Sequence, residues 1–339
     1  MSEYTPPFKI TPAVISLIVE ISQVIERISI FEKSISNLKL RRINRVKTIK
    51  GSLAIEGNTL NESQITAILE GKWVIAPPRQ IQEVKNAIKV YDNFLDWQPS
   101  SKQDLLKAHE IMMRGLIDSS GKYRTGGVGV IDDQTIIHLA PPANRLSYLM
   151  DALLGWVKTT DYHPLIASSV FHYEFEFIHP FEDGNGRMGR LWQTLILSKW
   201  NPLFATIPVE SLVFENQEEY YNALRVSTTN GESSVFIEFM LKMICNAAKS
   251  LLEHLNTPEV NPEVTPEVKK MLYLLLKGDM SRKEIQLKLG LKDEKHFREA
   301  YIKPASKFGL IEMTIPDKPN SRLQKYRITP KGQAYLSIL

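Results

Sequence analysis

Between His179 and Arg190 the chain gathers an imidazole, a carboxylate, a Gly-Asn-Gly turn and two arginines. Leu191, Leu195 and Ile196 follow, so the turn opens a helix. The free backbone N–H groups of a helix start that follows a glycine turn attract an anion. Arg187 and Arg190 stand three apart, on neighbouring positions of one helix face, where two guanidinium forks can grip phosphate oxygens. Asp183, just before the turn, offers hard oxygens of the kind that share Mg²⁺ with phosphates. His179 can hold or release a proton near neutral pH. These residue types at this spacing suit chemistry on a phosphate.

Such a turn needs a scaffold, and the flanking sequence is patterned for helices. Ile15, Leu17, Ile18, Ile21, Val24, Ile25 and Ile28 recur at three to four residues, predicting one or two amphipathic helices over 11–38. A second stretch runs from about Leu40 to Glu56, where Gly57-Asn58 stops it. Asn61–Gln64 starts a short helix ending near Gly71, and Arg79–Trp97 and Lys102–Leu116 are two more. The periodicity then changes. Two β-branched runs between Gly129 and Leu139 flank an Asp132-Asp133-Gln134 turn and read as a hairpin. Helices are expected again at about 143–158, 163–178, 184–199, 216–229 and 233–255. From Thr257 to Val268, Pro recurs every four residues, which reads as an extended, semi-rigid linker. Beyond it, apolar helices are expected at Val268–Leu276, Arg282–Leu289 and Glu294–Phe308, with paired strands at Leu310–Ile315 and Gln324–Ile328.

The composition bounds what this scaffold can be. With 339 residues, 43% of them apolar and 24% charged, the chain reads as an ordinary soluble globular protein of two or three domains. Its single cysteine, Cys245, excludes an internal disulfide and fits a reducing compartment. It stands among apolar neighbours, as a core thiol would. No charged segment followed by an apolar core opens the chain and no run of eighteen apolar residues occurs, so a cytoplasmic protein with no membrane partner is expected. Charge is uneven: residues 265–339 carry +8 and residues 1–264 carry −4. A basic tail suggests an anionic partner.

The stretch from His179 to Arg190 resembles the signature of the Fic family, His-x-Phe-x-Asp/Glu-Gly-Asn-Gly-Arg-x-x-Arg, and matches it at every fixed position. The resemblance implies transfer of AMP from ATP to a Ser, Thr or Tyr hydroxyl of a protein target. His179 would be the base, Asp183 would hold Mg²⁺, and Gly184, Asn185, Gly186, Arg187, Gly189 and Arg190 would bind the nucleotide. The mainly α pattern with one hairpin also resembles the Fic fold, in which the hairpin is a flap over the active site. Ile136, Ile137, His138 and Leu139 are the expected flap residues near nucleotide and target. Tyr220 and Tyr221 resemble a tyrosine pair near the adenine. Ser52-Leu53-Ala54-Ile55-Glu56-Gly57 is similar to the family's inhibitory motif, which implies that Glu56 pairs with Arg190 and denies it to the ATP γ-phosphate. A C-terminal unit of three helices and a two-stranded wing resembles a winged helix. The expected layout is 1–98 for an N-terminal helical region carrying the inhibitory helix, 99–255 for the catalytic core, 256–266 for the linker and 267–339 for the winged helix.

Other readings stay open at this level. UMP transfer or AMP removal would use the same phosphate grip, since the signature does not fix the base. A DNA- or protein-binding regulator would use the basic tail, where Lys292, Lys295, Arg298, Lys318, Arg322 and Lys325 could meet phosphates. Self-modification and a homodimer are compatible with the family. A metal hydrolase could be built on His172, Glu176 and His179, at i, i+4 and i+7 of one helix, although Pro180 breaks that helix. No Walker-type loop and no kinase lysine set is present, which disfavours ordinary γ-phosphoryl transfer.

Overall fold

The computed structural model describes residues 4–29, 38–127, 129–132, 135–255, 265–318 and 321–337; of 38–40, 129–132, 135–139, 334, 335 and 337 it describes the backbone alone. Most of the expected linker, 256–264, lies outside the described residues, as do Asp133 and Gln134 of the hairpin turn. The described chain is mainly helical and divides into two compact units, residues 4–22 with 38–248 and residues 23–29 with 249–255 and 265–337. No helix among the described residues is long and apolar enough to cross a membrane.

In chain order the elements to residue 255 are α1 (Pro12–Ser29), α2 (Leu38–Ile55), α3 (Glu62–Leu69), α4 (Pro78–Asn93), α5 (Lys102–Met112), β1 (Gly129–Asp132), β2 (Thr135–Leu139), α6 (Leu146–Thr159), α7 (Pro164–Ile178), α8 (Asn185–Trp200), α9 (Val209–Glu215), α10 (Gln217–Asn230) and α11 (Ser234–Leu255). Local chemistry sets several of these starts. Asn61 and Gln64 form a capping box on α3, the Ser101 hydroxyl caps α5, and Pro164 fills the first position of α7. The pair α7 and α8 makes the centre of the unit. Both are buried almost all round, as central rather than surface helices are. Phe171, Phe175, Phe181, Trp192 and Phe236 fill the space about them.

The sequence pattern anticipates this layout except for α9 and the 3₁₀ turn Pro202–Thr206 before it. Seven residues are too few to display a helical period. Yet α9 is the main support of α2. Gly51 makes that packing close: a Cβ there would stand 2.6 Å from the Glu210 carbonyl carbon and oxygen and the Ser211 nitrogen. The Ser211 hydroxyl also donates to Lys47 O at 3.0 Å.

The second unit contains α12 (Pro266–Leu275), β3 (Met280–Ser281), α13 (Arg282–Lys288), α14 (Glu294–Phe297), α15 (Lys303–Lys307), β4 (Ile311–Met313), β5 (Lys325–Ile328) and α16 (Pro330–Ser337). Its core includes Val268, Met271, Leu272, Ile285, Phe297, Leu310 and Ile328. The single third helix expected over 294–308 is interrupted by a π turn at Arg298–Ile302. The expected pair of strands becomes a three-stranded antiparallel sheet in the order β3-β5-β4. A two-residue strand carries no alternation that a sequence pattern could reveal.

Because backbone rather than a flexible side chain faces Gly51, Gly51→Val should force α2 off α9. We expect a loss of about 1–3 kcal/mol, read as a lowered midpoint in thermal or urea unfolding.

Candidate active site

The turn between α7 and α8 starts with a backbone reversal. His179 ends α7 in the left-handed region, φ 49° and ψ 61°, and its N–H donates to Phe175 O at 2.9 Å. Pro180 cannot continue a helix, so the chain leaves α7 at the imidazole. For a residue other than glycine this conformation costs on the order of 1 kcal/mol, and neighbouring bonds must hold it.

Arg124 supplies them. Its buried guanidinium donates to His179 O at 2.7 Å, to Ile178 O at 3.4 Å, to Gly126 O at 2.7 Å and to Pro141 O at 2.6 Å. The Arg124 N–H donates to Pro180 O at 2.9 Å. One side chain therefore ties both ends of the hairpin to the turn. In the hairpin, β1 pairs antiparallel with β2, with an irregularity between Val130 and Ile131, and β2 lies beside α10. The backbone of Ile136, Ile137, His138 and Leu139 forms β2, while their side chains lie outside the described residues.

Asn185 closes the next part of the turn. Its side chain accepts from Phe181 N and donates to Phe181 O, both at 2.9 Å. These two bonds commit the Asn185 amide to the turn, and its backbone N–H stands in the first turn of α8. Gly184 caps α8 with φ 88°, and a Cβ there would lie 2.7 Å from Met113 Sδ. The start of α8 thus presents its N–H groups beside a glycine, the arrangement that suits phosphate.

The charged side chains converge on this start. Asp183 Oδ1 accepts from Gly184 N at 2.6 Å and from Arg187 Nη2 at 2.7 Å. Its Oδ2 faces Arg79 Nη2 at 3.4 Å. Asp183 is partly exposed, and its loosely engaged Oδ2 is a hard oxygen open to a divalent cation, so the donor fits Mg²⁺. Arg187 is buried and its Nε has no hydrogen-bond partner among the described residues, which fits an anion.

Arg190 is buried and already paired. Nη2 donates to Glu56 Oε1 at 2.6 Å and to Ser52 O at 3.0 Å, and Nε reaches the Ser52 hydroxyl at 3.4 Å. Burial by itself would lower the pKa of Arg190, but the adjacent Glu56 carboxylate holds it above its ordinary value. Glu56 reaches this position just beyond the end of α2. The left-handed Gly57 and a bond from Asn58 N to Leu53 O close that helix. The Asn58 amide then donates to Gln80 O and Glu83 of α4. The absence of a side chain at Gly186 completes the fit, since a Cβ there would collide with the Glu56 carboxylate.

His172, Glu176 and His179 do not converge. The Gln193 amide nitrogen donates to Ser169, so its oxygen accepts from His172 Nδ1 at 2.6 Å, and His172 Nε2 accepts from the Tyr220 hydroxyl at 3.1 Å. Burial pushes the pKa of His172 down to about 3. Among the described residues no group of three or more His, Cys, Asp or Glu is placed to hold a metal. Tyr220 is buried against Phe236 and Phe239, whereas Tyr221 beside it is half-exposed. Gly189 faces His172 and Glu176.

Sequence reasoning missed Arg79 and Arg124. Arg79 opens an expected helix and Arg124 stands two residues before Gly126, and neither belongs to a local motif; their contacts lie 104 and 55 positions away. In the sequence Glu176 stands out only as a metal-ligand candidate. Its Oε1 accepts no hydrogen bond among the described residues and lies 3.9 Å from His172 Nε2. Burial pushes its pKa up to about 8, with Arg190 opposing and Glu56 adding to the rise.

The sequence and the fold are similar to those of known proteins. The Fic/DOC family model matches residues 99–197, and the model of the C-terminal domain of Filamentation induced by cAMP protein Fic-like matches residues 266–329. The crystal structure of a Fic family protein from Desulfovibrio desulfuricans G20 is 46% identical, with a TM-score of 0.72, over 97% of this chain and 100% of that one. Protein adenylyltransferase Fic of Nematostella vectensis is 30% identical over 203 residues, 56% of this chain and 45% of that protein. Protein adenylyltransferase fic-1 of Caenorhabditis elegans is 30% identical over 208 residues, 56% of this chain and 38% of that protein. The chain thus spans less than half the length of these curated relatives.

Glu176 generates a pH prediction. Its pKa is 4.5 in the unfolded chain and about 8 when folded, so the folded state binds the extra proton between those values. Stability from this group is complete below 4.5 and is lost as pH rises towards 8. Glu176→Gln mimics the neutral acid and removes that slope. The variant should match wild type near pH 4.5 and exceed it by on the order of 1–3 kcal/mol near pH 8. Unfolding midpoints measured across the range would check this, and equal pH slopes for the two proteins would refute it.

Proposed function

The chain belongs to the Fic family, and from that membership we propose that it transfers AMP from ATP to a hydroxyl side chain of a protein target and is held inactive by Glu56. The observation that carries this reading is the turn from His179 to Arg187. Within nine residues it joins an imidazole at a helix end, a partly exposed carboxylate, a glycine-capped helix start and an arginine with an orphaned Nε. The relatives named protein adenylyltransferase supply the substrate class.

In this mechanism His179 takes the proton of the target hydroxyl, whose oxygen attacks the α-phosphorus. The bond to the bridging oxygen breaks and pyrophosphate leaves. The start of α8, with Gly184, Asn185, Gly186 and Gly189, receives phosphate oxygens through its backbone; Arg187 and Arg190 pair with them. Asp183 would hold Mg²⁺, which supplies charge neutralisation on the phosphates. Positioning carries most of the rate in such transfers. The target strand adds to the edge of β2, near Ile136, Ile137, His138 and Leu139, so that main-chain bonds align a hydroxyl without a pocket shaped for one residue. Tyr220 and Tyr221 border the adenine.

The lock follows from a competition for one guanidinium. While Arg190 is paired with Ser52 and Glu56, it is not available to the γ-phosphate, and the α-phosphate does not line up with His179. A misplacement of about 1 Å costs roughly 100-fold. We assign residues 1–98 to the region carrying the lock, 99–255 to the catalytic core, 256–266 to a linker and 267–339 to a winged-helix module. The +8 charge after residue 264 supports docking of that module to an anionic surface, nucleic acid or protein.

Wild type and variants incubated with each labelled nucleoside triphosphate and Mg²⁺ test the reading. Glu56→Gly should label protein, itself included, on the order of 100-fold faster than wild type, with ATP the preferred donor. Preference for UTP would move the reading to UMP transfer. No labelling with any of the four, from a folded Glu56→Gly protein, refutes nucleotidyl transfer and the lock together.

Two further substitutions separate the roles. His179→Ala in the Glu56→Gly background should lose on the order of 10²–10⁴ in rate while calorimetry still detects ATP binding. Arg190→Ala should stay slow with or without Glu56→Gly, because releasing a lock is useless once the residue it held is gone. A double variant as active as Glu56→Gly alone would remove Arg190 from the mechanism.

A further inference from the structure

His109 lies outside the signature, on α5, and is fully buried. Both ring nitrogens are engaged by backbone. Nδ1 is 2.9 Å from Gly121 N, and Nε2 is 2.9 Å from Asp183 O. A backbone N–H only donates and a carbonyl only accepts, so Nδ1 must be bare and Nε2 must carry the proton. The contacts therefore select one neutral tautomer. The ring is also stacked on Phe181, with centroids 3.6 Å apart and planes within 4°. Met113, the C-cap residue of α5, fills the space beside Gly184 where a Cβ would stand.

Asp183 is thus held at two places. Its carboxylate is tied by Gly184 N–H and Arg187, and its carbonyl by His109. The peptide between Asp183 and Gly184 carries that carbonyl, and the same peptide leads into the glycine that caps α8. Its rotation would swing the carboxylate and the first N–H groups of α8 together. Gly184, at φ 88°, has no side chain of its own to resist this.

We propose that His109 is a positioning residue that, through its Nε2–H bond to the Asp183 carbonyl, orients the metal-binding carboxylate and the phosphate-receiving start of α8. The inference rests on the adenylyl-transfer reading above. It adds a residue that touches neither substrate nor metal and acts through the peptide between Asp183 and Gly184.

The test uses the full chain carrying Glu56→Gly as parent. His109→Phe keeps the stack on Phe181 and loses both hydrogen bonds; His109→Gln retains a donor at the position of Nε2. We expect His109→Phe to lower kcat on the order of 100-fold and to raise the Mg²⁺ concentration for half-maximal rate. His109→Gln should recover most of kcat and the parent's Mg²⁺ midpoint. A folded His109→Phe protein with unchanged kcat and Mg²⁺ midpoint overturns the proposal, as does a His109→Gln protein as impaired as His109→Phe. If neither variant folds, nitrogen-15 NMR of the parent decides: a proton on Nε2 bonded across to the Asp183 carbonyl supports the role, and a proton on Nδ1 overturns it. If the parent transfers no nucleotide, the adenylyl-transfer reading fails separately. His109 is then judged by Mn²⁺ binding in EPR titrations, expected weaker in His109→Phe and restored in His109→Gln; equal binding in all three proteins overturns it.

Discussion

A guanidinium taken out of water must be paired, and the burial of Arg190 imposes that requirement on the segments that bring α2 to α8. The partners that satisfy it, Ser52 and Glu56, come from the end of α2. For α2 to reach α8, three things must hold at once. Gly51 must let α2 settle on α9, Gly57 must end the helix so that Glu56 turns inward, and Gly186 must leave room for the carboxylate. Removing Glu56 alone leaves Arg190 with neutral partners. A phosphate is then a better partner than the protein offers, which is why one contact can serve both as a structural element and as the proposed lock.

A second constraint acts on the turn from His179 to Gly184. The turn holds a left-handed histidine and a left-handed glycine within six residues, and its side chains cannot provide a core of their own. Hydrogen bonds from side chains to its backbone supply the rigidity instead. Arg124 grips the carbonyls at Ile178 and His179, Asn185 closes a ring on Phe181, and His109 holds the Asp183 carbonyl. Because Arg124 also holds Gly126 and Pro141, the hairpin and the turn share one anchor. Displacing either end of the hairpin would disturb the backbone at the proposed base.

Much of this was legible in the residues. The spacing from His179 to Arg190 announced a helix start after a glycine turn, and α8 begins at Asn185 behind Gly184. Three-to-four-residue periodicity placed the long helices to within a few residues, because amphipathic and fully apolar stretches carry their burial in their own pattern. The pairing of Glu56 with Arg190 was reached through a resemblance and not through any local signal. The short elements were not legible. Seven residues in α9 and two in β3 are below the length at which a period can be counted. Arg79, His109 and Arg124 were silent too, because their significance lies in backbone atoms of distant segments that no side-chain pattern reports.

The sequence by itself determined which chemistry this chain could carry. Residue types and their local spacing create the helix start, the titratable imidazole, the hard carboxylate and the arginine pair, and these depend on neighbours only a few positions away. Tertiary structure alone decided which of those groups is engaged. Arg190 and Arg187 look equivalent on the helix face, yet one is spent on the Glu56 carboxylate just beyond α2 and the other on Asp183 with its Nε left over. Likewise His172, Glu176 and His179 share a helical spacing, but a left-handed turn and a buried hydrogen-bond network separate them. The physical reason is the same in both cases. Desolvation and pairing energies depend on what fills the space around a group, and that space is walled by segments up to 138 positions away in the chain.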